Sequence, residues 1–146
     1  MRRRALSAPR RADVRALLSL QGLPAAGSAF VLNALIEADR VEVLSGAPEP
    51  VSMPTDSGRP HDIYRCPVCK VAVWSDYGRR GVMLFVRIGT LDNPAAITPD
   101  VHIYTRSKLP WVKLAEDVPA FETYYDMKIL WPAESLKRRE ALRMTR

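Results

Sequence analysis

The sequence predicts a mainly β domain followed by a C-terminal helix. Short runs rich in β-branched and aromatic residues recur between clusters of Gly, Pro, Asn and Asp, a spacing that suits strands joined by turns. The final stretch, WPAESLKRREALRM, has a different signature: Pro132 near a helix start, Glu134 in the first turn and basic residues late, an order that complements the helix dipole. A length of 146 residues suits one compact domain with a modest core.

Residues 1–26 mix arginine, alanine and leucine with no clear period and read poorly as helix or strand, so they form an atypical N-terminal arm. The texture changes at SAFVLNALI (28–36), a β-branched and aromatic run that reads as a strand. Val41 to Leu44 is short and alternating, and Ala47 to Pro60 is rich in Pro, Ser and Gly and reads as turn. Asp62 to Cys66, Val71 to Trp74, Val82 to Ile88 and Val101 to Thr105 are further strand candidates, separated by the turn clusters SDYGRRG and LDNPAAITPD. The resulting division is an arm at 1–26, a β domain at 27–125 and a helical tail at 126–146.

Charge and cysteine content narrow the function classes. The net charge of +6 is unevenly placed: residues 1–15 contribute +5, residues 137–146 contribute +4, and the middle sums to −3. Basic ends on a mildly acidic body speak against a dedicated nucleic-acid face, although an arginine-rich arm could engage phosphates. No run approaches the roughly 20 apolar residues of a membrane span. Two cysteines three positions apart make no disulfide scaffold, and no apolar signal segment is visible, which predicts a reducing, cytoplasmic setting.

Those two cysteines, Cys66 and Cys69 in YRCPVCKVAVW, have the spacing of half a zinc knuckle. A tetrahedral structural zinc needs four ligands, and the chain holds no other cysteine. Three readings stay open: half of a structural zinc site, two reduced thiols, or a redox pair. Val71, Val73 and Trp74 favour a β-hairpin knuckle over the strand-then-helix setting of a redox motif.

Read together, GSAF (27–30), the Ser57-Gly58 turn, the CxxC of Cys66 and Cys69, GTLDNP (89–94), and Pro99, His102, Ile103, Lys108, Pro110 and Trp111 resemble the glutathione-dependent formaldehyde-activating enzyme family. That family shares its domain with centromere protein V. The likeness runs in consistent order from about Gly27 to Phe121. It implies a Mss4-like fold, with β-sheets arranged as a tent. It also implies a structural zinc held between an early CxC and the later CxxC, and a catalytic zinc held by CHCxxC shortly before GSxF. The implied activity is that of a carbon–sulfur lyase, forming or cleaving S-hydroxymethylglutathione, with a small thiol or aldehyde as substrate. Zinc bound by three thiolates would keep a position open for the thiol and favour its thiolate, a nucleophile toward the aldehyde carbon.

The chain departs from that pattern before Gly27, where neither CxC nor CHCxxC is present. Only Cys66 and Cys69 remain as metal ligands, the structural site is incomplete, and no catalytic residue is assigned. In place of the catalytic motif stands LLSLQGLPAA (17–26). With suitable codons, a shift of one base converts this run to Cys-Cys-His-Cys-Arg-Gly-Cys-Gln-Arg, which contains the missing motif. Residues 1 to about 25 are therefore expected to be an out-of-frame translation, with a natural divergent arm as the alternative. A non-enzymatic zinc-knuckle module using its basic termini on nucleic acid is the competing function.

The remaining notable residues have ordinary expectations. His102, between Val101 and Ile103, is expected to be surface or hydrogen-bonded rather than a ligand, and His61 to be solvated in a turn. Trp74 and Phe121 are expected in the core, with Trp111 capping its loop against the sheet. Tyr124, Tyr125 and Trp131 are expected to pack the tail.

Overall fold

The computed structural model of the protein describes residues 14–18, 29–55 and 57–144, the first of these by backbone alone. Seven strands, β1 (Val14–Leu18), β2 (Val31–Glu37), β3 (Glu49–Met53), β4 (His61–Arg65), β5 (Ala72–Tyr77), β6 (Met83–Arg87) and β7 (Val101–Ile103), precede two helices, α1 (Met127–Leu130) and α2 (Ala133–Met144). The protein is mainly β with a C-terminal helix. All strands join one sheet in the order β3-β4-β5-β6-β2-β1-β7. Its pairings are antiparallel except β1 with β7, which run parallel.

β2 lies inside the sheet, and its last five residues are all buried. Side chains alternate across a strand, so Leu35 and Ile36 feed opposite faces, and both faces must be covered. On the first face Leu35, Val101 and Ile103 pack with Tyr125 and Trp131 from the C-terminal segment, and Met127, Leu130 and Leu136 of the helices close over them. The Trp131 indole donates to the Tyr125 hydroxyl at 2.9 Å, which satisfies a polar group that this buried layer would otherwise orphan. On the second face Ile36, Trp74 and Val86 pack with Tyr64, Leu84, Leu91 and Val41, and Tyr64 stacks on Trp74. Trp74, Tyr125, Trp131 and Phe121 thus pack as their sequence setting suggests.

The helical tail is tied to the sheet by a buried carboxylate. Glu37, at the end of β2, accepts from Arg40 and from Arg138 of α2, each at 2.7 Å. Its side chain is only 3% exposed, so it sits between two guanidinium groups that retain access to water.

Four local expectations fail for identifiable reasons. VRALL becomes β1 although its residues favour helices, because neighbours on both sides supply its backbone partners. Glu49–Met53, within the Pro- and Ser-rich stretch, forms β3. It is an edge strand pairing only with β4, the one setting where Pro50 removes no needed hydrogen bond. Val41 to Leu44 forms no strand, since a 3-10 turn at Ala38–Arg40 leads the chain out of the sheet and leaves Val43 and Leu44 exposed. Trp111 does not cap the sheet and is 68% exposed.

Candidate functional site

The cysteine knuckle sits at the tip of the β4–β5 hairpin. A register shift between Tyr64 and Arg65 ends regular pairing, and the chain turns through Cys66 to Cys69. Cys66 N–H donates to Val71 O and Lys70 N–H donates to Cys66 O, both at 2.9 Å, while the Arg65 guanidinium donates to Lys70 O at 3.0 Å. Lys70 takes a left-handed φ of 59°, the conformation that lets the turn rejoin β5. Cys66 is half-buried and Cys69 exposed, both as free thiols.

Neither histidine completes this site. His61 stands at the other end of β4, about 16 Å along the strand from Cys66 at the usual rise per residue. His102 lies on β7, five strands away in the sheet order. Among the described residues no group of three or more His, Cys, Asp or Glu could hold a metal ion. The residues outside the described set contain no Cys or His at all. The chain's own side chains therefore do not fit a closed tetrahedral zinc site or a three-thiolate one. LLSLQGLPAA lies largely outside the described residues.

Both histidines differ from their sequence expectations. His61 is not solvated: it is half-buried on β4 with its ring edge against Tyr77, centroids 5.6 Å apart. Burial, and then the nearby Arg87 cation, hold its pKa below the ordinary value. His102 is not on the surface but 2% exposed, and among the described residues neither ring nitrogen has a hydrogen-bond partner. Burial likewise lowers its pKa, which keeps the ring neutral.

A second group of polar residues gathers on the first face. By strand alternation Asn33, Arg87, Arg65, His61 and Tyr77 all project to the side that carries Leu35. Arg87 Nη1 donates to Asn33 Oδ1 at 2.6 Å across the β2–β6 pair. Tyr104, just past β7, has a left-handed φ of 56°, an unusual state for an aromatic residue and one that costs free energy. Its hydroxyl pKa is raised first by burial and then by the phenol of Tyr77.

The acidic groups of β4 and β5 are engaged elsewhere. Asp62 and Asp76 pair on the opposite face of the sheet. Asp62 accepts from Arg79 at 2.6 and 3.1 Å and from Ser52 at 2.5 Å. These bonds, Arg79 first and Ser52 second, hold its carboxyl below the ordinary range. Asp76 accepts from the backbone N–H groups of Arg80 and Gly81 at 3.0 and 2.7 Å, closing the β5–β6 turn.

Sequence reading missed Asn33 and Arg87. Their signal was a polar residue inside the apolar run AFVLNALI and a cation ending MLFVR, each on an inward strand position.

No helix among the described residues is long and apolar enough to cross a membrane. No curated protein matches the chain. The family model for the glutathione-dependent formaldehyde-activating enzyme matches residues 24–107, from before β2 to just past β7. That span includes the cysteine knuckle, both histidines, and the Asn33–Arg87 pair, and it covers more than half of the sequence. By this match the chain belongs to the glutathione-dependent formaldehyde-activating enzyme family.

Proposed function

We propose that the chain carries the scaffold of a carbon–sulfur lyase acting on adducts of a small thiol, such as glutathione, with an aldehyde, such as formaldehyde. We propose also that turnover is impaired in the sequence as it stands. The family match over residues 24–107 supports the first half of this reading. The cysteine content supports the second, since Cys66 and Cys69 are the whole supply of thiolates. A catalytic zinc would supply an open coordination site that binds a thiol and favours its thiolate. The residues present do not fit that group, so no step is routed through it.

The knuckle is read as half of a structural zinc site that has lost its other pair. Residues 1–26 are read as an atypical arm, translated out of frame, whose Val14–Leu18 nonetheless joins the sheet as β1; the start of the family match at residue 24 supports that boundary. A cytoplasmic setting is proposed with it, supported by the absence of a disulfide pattern in the sequence.

Metal content and turnover test this reading together. Purified protein should carry less than one zinc per chain and should not accelerate S-hydroxymethylglutathione formation, followed by proton NMR. Replacing residues 18–26 with a run containing CHCxxC and the preceding arm with one containing CxC should recover about two zinc ions and turnover. Tight zinc at full occupancy in the unaltered chain, or turnover by it, would refute the proposal. Binding to nucleic acid that falls steeply with salt and vanishes on deleting residues 1–15 would replace it with the binding-module reading.

A further inference from the structure

We propose that the first face of the sheet carries a carboxylate-recognition site, with the Arg87 guanidinium and the Asn33 side-chain amide as its paired donors. Arg87 is half-buried at the end of β6 and donates to Asn33 Oδ1 at 2.6 Å. A guanidinium offers five N–H donors in a rigid fork. Among the described residues no carboxylate pairs with Arg87. Burial, and then the cation of Arg65, lower its pKa.

Asn33 supplies an independent observation. It is 1% exposed, and with its oxygen engaged by Arg87 its buried Nδ2 has no acceptor among the described residues. An orphaned amide donor beside an uncompensated guanidinium is costly in a folded core. One bound carboxylate remedies both, taking the guanidinium fork through its two oxygens and accepting from Asn33 Nδ2. Asp62 and Asp76 cannot serve, being on the opposite face and already bonded. Arg65 and His61 on the same face add polar and cationic lining, which suits a ligand bearing more than one carboxylate.

The inference rests on the proposed function only for the choice of a glutathione-like ligand; the site itself stands on Arg87 and Asn33. Binding is therefore measured without chemistry, by calorimetry, using S-methylglutathione, which has both carboxylates and no thiol, its dimethyl ester, and succinate. S-methylglutathione should bind, and the diester should bind far more weakly. Arg87→Met should weaken binding about tenfold to a hundredfold, the loss expected for hydrogen bonds to a charged group. Asn33→Asp keeps the side-chain volume and places an internal carboxylate on Arg87, so it should preserve or raise the melting temperature while abolishing binding; it also serves if Arg87→Met does not fold. Binding of succinate without S-methylglutathione would sustain the carboxylate site and overturn the glutathione-like ligand. Failure of both dicarboxylates to bind, equal binding of the diester, or affinity unchanged by Asn33→Asp would overturn the site.

Discussion

Glu37 is the point at which the C-terminal tail is held to the sheet, and its two arginines allow that role to be measured. The carboxylate is 3% exposed, while the Arg40 and Arg138 side chains are 23% and 44% exposed. Removing either arginine takes one charged donor from a buried carboxylate. A hydrogen bond to a charged group is worth about 1.5–3 kcal/mol, and the exposure of Arg138 argues for the lower end. Arg138→Ala should therefore cost about 1.5 kcal/mol, and Arg40→Ala about the same. Removing both takes two cations from one buried carboxylate, so the double variant should reach or exceed the sum of the singles. Urea denaturation measures all three, and at this chain length about 1.5 kcal/mol corresponds to roughly 3–6 °C in melting temperature. Arg138→Ala should also speed amide exchange in α2 selectively, because this pair joins that helix to β2 through charge. A neutral Arg138→Ala, or uniform exchange across the molecule, would refute the view that Glu37 anchors the tail.

Other consequences concern pH and exposed aromatic surface. His61 and His102 both have folded pKa values below the ordinary 6.5, so below that pH the unfolded chain takes up protons that the folded one refuses. Stability should therefore decline as pH drops from 6.5 toward the lower folded values. His102→Leu, which removes both orphaned nitrogens, should gain more stability at pH 5.5 than at pH 8 in thermal melts. The depressed Asp62 carboxyl contributes stability above its unfolded value of about 3.9 and loses it as pH falls through the folded value. Asp62→Asn should consequently flatten acid unfolding below about pH 4, as followed by circular dichroism. Trp111→Ala should change stability by less than about 0.5 kcal/mol, whereas Trp74→Ala should cost about 3–5 kcal/mol; similar losses for the two would contradict the packing described.

How much of this was legible in the sequence depended on whether a residue's role was local. β2, β4, β5, β6 and β7 announce themselves because β-branched and aromatic residues there satisfy both propensity and burial. Pro132 and Glu134 marked α2 by the same local logic. β1 and β3 were hidden because their strand state comes from partners: VRALL is held between β2 and β7, and EPVSM tolerates Pro50 only through its edge position. Cys66 and Cys69 were legible as a turn because CxxC has its own geometry, but the partners of that turn are set by long-range chain placement. Asn33 and Arg87, 54 positions apart, look like unrelated polar interruptions until the β2–β6 register places them face to face.

That register also explains how the scaffold can stand without a metal at the knuckle. The turn at Cys66–Lys70 is closed by two backbone hydrogen bonds and by Arg65, so its shape is fixed by the protein's own donors and acceptors. Two apolar clusters hold the sheet: one unites β2 and β7 with the tail, the other joins β2, β5 and β6 and takes in Tyr64 of β4 beside the turn. Structural zinc in isolated small peptides is worth on the order of 10 kcal/mol because no core exists there to replace it. Here both faces of β2 are sealed by aliphatic and aromatic packing, and a charged clasp at Glu37 adds the C-terminal helix. Truncating a knuckle thiol, as in Cys69→Ser at an exposed position, should leave the melting temperature within about 2 °C, whereas Ile36→Ala in the second cluster should lower it by roughly 8 °C or more. The reverse ordering would mean that the knuckle, and not the two-sided core, holds the sheet together.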